Sequence, residues 1–214
     1  MRMIIIRHGE SEWNLISRYQ GQCDAALSEL GQRQAEALAQ RLANEPLDAI
    51  YTSPLQRASH TARAIAQFHP EVPLSTDDAL MEIHHGEWQG KYASEVEEQF
   101  SAGLREWREQ PMRSQMPGGE SFSNVLKRTL EFQERVYAKH QAETIAVSTH
   151  DVVIKMLVAD VLGMDMNRIN RIWISNATIS IIEYQAVDRG YLVSLGDGSH
   201  LGAFATDRTT QKAL

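Results

Sequence analysis

The chain has 214 residues, 43% of them hydrophobic and 23% charged, an ordinary globular composition that excludes a disordered chain. Lys and Arg total 21 against 28 Asp and Glu, so the formal net charge of −7 disfavours nucleic acid or an anionic membrane as partner. Cys23 is the single cysteine, which removes a disulfide framework and a cysteine-rich zinc site. From the N-terminus, Met3 to Ile6 is a short apolar run that reads as a buried central strand stopping at Arg7-His8. A secretory signal needs an apolar stretch of ~7–15 residues, and nothing approaches the ~18 continuous apolar residues of a membrane span. A cytoplasmic protein is the expectation.

Beyond Ser28, apolar Ala35, Leu38, Ala39 and Leu42 fall at helical spacing and predict an amphipathic helix over residues 28–44. Ala49 to Thr52 is a second strand. Ser53-Pro54 follows it as an expected N-cap and first helical position, for a helix with Ala58, Ala62, Ile65 and Ala66 on one face. Val72 to Thr76 fits a third strand. Residues 86–119 interrupt the alternation and are expected to form a lobe over the sheet. A long helix over 120–140, a strand from Thr144 to Thr149 and a helix from Val152 to Leu162 closed by Gly163 come next. Ala177 to Glu183 and Tyr191 to Leu195 read as strands joined by a turn near Asp188-Arg189-Gly190. This alternation predicts one α/β domain over 1–214 with a mostly parallel central sheet. The run Ile179-Ser180-Ile181-Ile182 fits core and subunit interface equally, so a homodimer stays open.

In such a sheet, ligands gather beyond the carboxyl ends of the strands. One strand runs into Arg7-His8-Gly9-Glu10 and another into His150-Asp151; a third runs into Ser53-Pro54, with Arg57 a helical turn later. A transferring phosphoryl group spreads charge over its oxygens, so positioned cations supply most of the catalysis. Arginine suits this because its planar fork stays charged, and a neutral imidazole can attack phosphorus. Singly, each residue reads as a surface arginine or a core histidine. Together at strand ends, Arg7, His8, Arg57 and His150 point to a phosphate site that needs no metal. The eight histidines show no His-x3-His pair or clustered Cys/His spacing. Gly86 to Lys91 approaches a P-loop but lacks one residue and the Ser/Thr after Lys.

The set Arg7-His8-Gly9-Glu10-Ser11 with Trp13-Asn14, Gln20-Gly21, Leu27-Ser28-Glu29-Leu30-Gly31, Ser53-Pro54-Leu55-Gln56-Arg57-Ala58, Glu82 to Gly90, Pro117-Gly118-Gly119-Glu120-Ser121 and Ser148-Thr149-His150 resembles the histidine phosphatase (phosphoglycerate mutase-like) superfamily across the whole chain. The resemblance implies a three-layer α/β/α sandwich and a catalytic group of His8, Glu82, Arg7, Arg57 and His150. In it His8 is the nucleophile, Glu82 is the acid–base carboxyl, and no metal or cofactor is involved. It implies substrate contacts from Asn14 and Gln20. One departure is Asp151, where the family often has Gly; it is expected to cap the next helix and face away.

Ser17 to Gly21, Glu82 to Gly86 and the tail Ser199-His200-Leu201-Gly202-Ala203-Phe204 resemble metal-independent phosphoserine phosphatases most. The partner implied is a small phosphorylated metabolite, phosphoserine first. His85 and His200 would then read its carboxylate, and residues 196–214 would form a tail near the pocket. The alternatives are a cofactor-dependent phosphoglycerate mutase, a broad-specificity or sugar phosphate phosphatase and, most remote, a catalytically silent binding module on the same fold.

Overall fold

The computed structural model describes residues 1–207, and its frame is a six-stranded sheet. The strands are β1 (Arg2–Arg7), β2 (Ala49–Thr52), β3 (Leu74–Thr76), β4 (Thr144–Thr149), β5 (Ile179–Ala186) and β6 (Arg189–Asp197). They lie side by side as β3-β2-β4-β1-β5-β6. The first four are parallel, whereas β5 runs antiparallel to β1, and β6 antiparallel to β5.

The apolar run that opens the chain is buried on both faces because it sits between two helical layers. Met3 and Ile5 pack with residues of α6 (Phe122–Lys139) and α7 (Asp151–Val161). Ile4 and Ile6 pack against α2 (Glu29–Leu42) and α3 (Gln56–Ala66). The result is the expected three-layer sandwich. The α2 stripe Ala35, Leu38, Ala39 and Leu42 is buried as its spacing predicts, and the Ser28 hydroxyl caps the helix by accepting from Gly31 N at 3.0 Å. Ile179 and Ile182 are core residues, each at most 2% exposed.

Three local differences have physical causes. Helix α3 starts at Gln56 with Leu55 as its N-cap, not at Pro54, and it has no side-chain cap. The Ser53 hydroxyl accepts from Leu55 N at 3.3 Å, just ahead of the helix, and also meets His150 Nε2 at 2.8 Å, so it is shared between the turn and a tertiary contact. The third strand is short and exposed because it is the sheet edge. The β5–β6 hairpin turns tightly at Val187-Asp188, whose Val187 carbonyl accepts from Gln133 Nε2 at 2.7 Å, and both strands outrun their apolar cores.

Residues 86–119 form short elements beside α1 (Glu12–Leu15): 3₁₀ turns at Gly86–Trp88 and Pro111–Arg113, α4 (Ala93–Gln99) and α5 (Ser101–Glu109). Trp88, Val96, Leu104, Trp107 and Met116 give this lobe a buried inner face continuous with the core. After β6, residues 198–207 contribute no side chain to the wall of the pocket described below. Gln34 Nε2 donates to Phe204 O and Thr206 Oγ1, each at 2.8 Å, and binds this segment to α2. The tail beyond 207 lies outside the described residues. Among the described residues no helix is long and apolar enough to cross a membrane.

Candidate active site

The carboxyl end of β1 delivers Arg7 and His8 into a narrow pocket with a free interior of about 30 Å³. Its wall also holds Asn14, Gln20, Arg57, Glu82, His85 and Asp151. The β1 exit is fixed by backbone contact: a Cβ on Gly31 would lie 1.9 Å from Glu10 O, so only glycine lets α2 approach this closely. His8 N donates to Thr149 O, and His8 O accepts from Ala177 N and Asn176 Nδ2.

His8 Nδ1 lies 2.7 Å from Gly9 O. A carbonyl can only accept, so Nδ1 carries the proton. Burial, then the charges of Arg57 and Arg7, hold the ring's pKa well below its ordinary value, which leaves Nε2 with an unshared pair. His150 lies behind it, ring centroids 5.1 Å apart. Its Nε2 meets Ser53 Oγ, while its Nδ1 is buried without a partner. Burial and Arg57 keep His150 neutral too; an arriving phosphate dianion reverses that field and favours the imidazolium.

Both arginines are buried and anchored through their terminal nitrogens. Arg7 Nη1 donates to Ile174 O, while Arg57 donates to Cys23 O at 2.9 Å and Gly21 O at 2.7 Å. Each leaves its Nε buried and unpartnered, an arrangement that is costly unless an acceptor arrives. Burial brings Arg57 down to about 10, still a cation at neutral pH. Asn14 Oδ1 accepts from Ser11 N, and Gln20 Oε1 accepts from Ser11 Oγ. Each amide therefore has its nitrogen to offer.

Glu82 arrives on the loop before the lobe. Burial first, then the neighbouring Asp151, raises its pKa, so the carboxyl holds its proton more tightly than an ordinary one. Arg128 on α6 holds this loop: its guanidinium donates to Ala79 O and Met81 O, both at 2.6 Å, to Glu82 O at 3.3 Å, and to both oxygens of Glu120. Glu120 in turn accepts from His84 N. Gly86, at φ 54°, completes the turn where a Cβ would meet Pro117 O at 2.0 Å. We expect Arg128→Ala to lower urea-unfolding stability by about 2–4 kcal/mol, because it strips partners from part-buried acceptors. Truncating exposed Arg33, paired with Glu29, should cost less than about 0.5 kcal/mol.

Two expectations about the pocket need correction. Asp151 opens α7 but does not face away: its Oδ2 lies 2.5 Å from buried Lys155 Nζ and its Oδ1 4.0 Å from Arg7, and these two cations draw it into the wall. His200 is not among the wall residues; its Nε2 lies 3.0 Å from Ala177 O, on the segment that leads into β5. His85 does line the pocket. Both its ring nitrogens are buried without partners, edge-on to Tyr19 and stacked on Trp88. Burial lowers its pKa to about 3, so it meets a ligand as a neutral imidazole. Trp107, Val152 and Gly21 complete the wall, and Asn176 braces both His8 O and Asn14 Oδ1. Sequence reasoning singled out none of these four for such work. Only Trp107 left a signal, in its i,i+3 spacing from Leu104 on the lobe.

Cations held ready for an oxyanion, around a histidine with a free ring nitrogen, define an α/β enzyme of phosphoryl chemistry. Residues 3–197 match the family model of the histidine phosphatase superfamily (branch 1). The chain is 38% identical over 204 residues to phosphoserine phosphatase 1 of Hydrogenobacter thermophilus, covering 95% of this chain and 96% of that one. Its fold is similar to Bacillus stearothermophilus YhfR, with a TM-score of 0.88 at 31% identity over 94% of this chain and 98% of that one. It is also similar to a mutant phosphoserine phosphatase from Entamoeba histolytica in complex with phosphoserine, with a TM-score of 0.80 at 27% identity, covering 94% and 98%. The chain belongs to the histidine phosphatase superfamily, and it is a phosphatase.

Proposed function

We propose that the protein is a metal-independent phosphomonoesterase that works through a phosphohistidine on a small phosphorylated metabolite, phosphoserine. The observation that carries the mechanism is the neutral His8 with its free Nε2 beside two buried arginines whose Nε groups lack acceptors. In the first step Nε2 attacks phosphorus, the ester P–O bond breaks, and Glu82 gives its proton to the departing oxygen. In the second, Glu82 takes a proton from water, the resulting oxygen attacks phosphorus, and the P–N bond breaks to free phosphate and His8. Arg7, Arg57 and His150 hold the charge on the equatorial oxygens throughout, with Asn14 and Gln20 as neutral donors.

The choice of phosphoserine is supported by the names of similar proteins. His85, with two free ring nitrogens, is the residue we assign to the non-phosphate end of the substrate. A panel of phosphoserine, 3-phosphoglycerate and sugar phosphates tests the substrate, and a better rate on either of the others would overturn phosphoserine. Hydrolysis of p-nitrophenyl phosphate should continue at full rate in EDTA, because arginines and histidines serve the phosphoryl oxygens. Loss of activity that Mg²⁺ or Zn²⁺ restores would refute the metal-independent mechanism.

A further inference from the structure

Asp151 is the feature of the pocket that phosphoryl transfer does not use. Arg7 and Arg57 are committed to the phosphoryl group. Of the other lining residues, Glu82 is committed to the departing oxygen and His85 is neutral, while Asn14, Gln20, Trp107 and Val152 carry no charge. Among the described wall residues, Asp151 is therefore the carboxylate left to meet the rest of a substrate. Its carboxylate is set in place rather than free to swing out: Lys155 Nζ, itself buried, grips Oδ2 at 2.5 Å and leaves Oδ1 towards the pocket and Arg7.

We infer that Asp151 is a specificity-determining residue, selecting phosphomonoesters that carry an ammonium group close to the phosphate and rejecting those that carry a second anion there. The inference rests on the phosphomonoesterase reading above and narrows its substrate class. An ammonium between the Asp151 carboxylate and the bound phosphate meets opposite charge on both sides. A second phosphate or a lone carboxylate at the same place meets a buried like charge, and among the described residues the cations nearest it, Lys155 and Arg7, are already engaged. A charge-assisted contact of this kind corresponds to about 10- to 100-fold in affinity or kcat/KM.

Phosphonates test this without cleavage. In calorimetry on the wild-type protein, 3-aminopropylphosphonate should bind at least about tenfold more tightly than propylphosphonate; equal or weaker binding would overturn the inference. The kinetic arm compares kcat/KM within two pairs, phosphoserine against 3-phosphonooxypropanoate and phosphoethanolamine against ethyl phosphate. Each ratio is measured in the wild type and in the Asp151→Asn, Lys155→Met double variant, which removes the buried pair as a unit so that no unpaired lysine remains. Because both proteins act on the same leaving groups, intrinsic reactivity cancels, and the ammonium preference should fall about tenfold or more in the variant. A proportional loss on all four substrates would assign Asp151 to ordering Arg7 alone and overturn selectivity. Poor turnover of phosphoserine combined with a retained calorimetric preference would sink phosphoserine as substrate while supporting the role of Asp151.

Discussion

His8→Ala should reduce turnover of every substrate by more than about 10⁴-fold, since a residue that forms the covalent intermediate acts as a unit with its partners. Rapid quenching of the wild type with radiolabelled substrate should trap an acid-labile, alkali-stable phosphoenzyme, and the variant should trap none. The fold should survive, because among the described residues the side chain's hydrogen bond reaches only its neighbour's carbonyl, Gly9 O. Retained thermal unfolding with lost labelling would separate chemistry from stability; substantial residual turnover would remove His8 as nucleophile. The pH profile carries the same information. Protonation of His8 ends its nucleophilicity, and its pKa sits well below the ordinary histidine value, so activity should persist on the acid side well under pH 6.5.

Glu82→Gln should divide substrates by their leaving groups. A serine or ethyl alkoxide cannot depart unprotonated, so kcat/KM for alkyl phosphates should fall about 10²- to 10⁴-fold. p-Nitrophenolate leaves with little help, and phosphoenzyme formation from its ester should change far less. Equal losses on both would assign the carboxyl to binding or folding. The sign of the pH effect follows from the raised pKa: the working form is the protonated one, so alkyl phosphate hydrolysis should decline as pH rises through the Glu82 pKa, which lies above the usual carboxylate value. The Gln variant should lose that alkaline limb.

The parts of this molecule that were legible in its sequence are those governed by local pattern. Apolar runs gave β1, β2 and β4, and the spacing of Ala35, Leu38, Ala39 and Leu42 gave α2. Strand-end placement alone groups Arg7, His8, Arg57 and His150; the structure sets the first three in the pocket wall and the His150 ring 5.1 Å from that of His8. What escaped is tertiary. Ser53 has the composition of an N-cap, but its hydroxyl is shared between Leu55 N and His150, which follows β4. The side chain of Asp151 follows Lys155 and Arg7 rather than the helix end. The tail motif around His200 matched a family pattern, yet the ring's direction is set by a carbonyl at Ala177. The short helices of the lobe gave no clear period because they bury only a few residues each, and Glu120 and Arg128 meet only once the acid loop is folded between them.

The position of β1 in the sheet has a further consequence, for the order of assembly. The strand bearing His8 is synthesised first, yet its two neighbours are β4, whose register pairs Arg2 with Thr144, and β5, whose register pairs Arg2 with Glu183. Loop closure over such separations is slow relative to local contacts. The first strand made thus waits for most of the chain before it can be clamped on both sides. Arg57 and Glu82 likewise meet His8 only across that closed sheet. Nascent or truncated chains that end before β4 therefore lack a formed pocket, and phosphatase activity should appear only with late, global folding rather than with the early packing of α2 against α3.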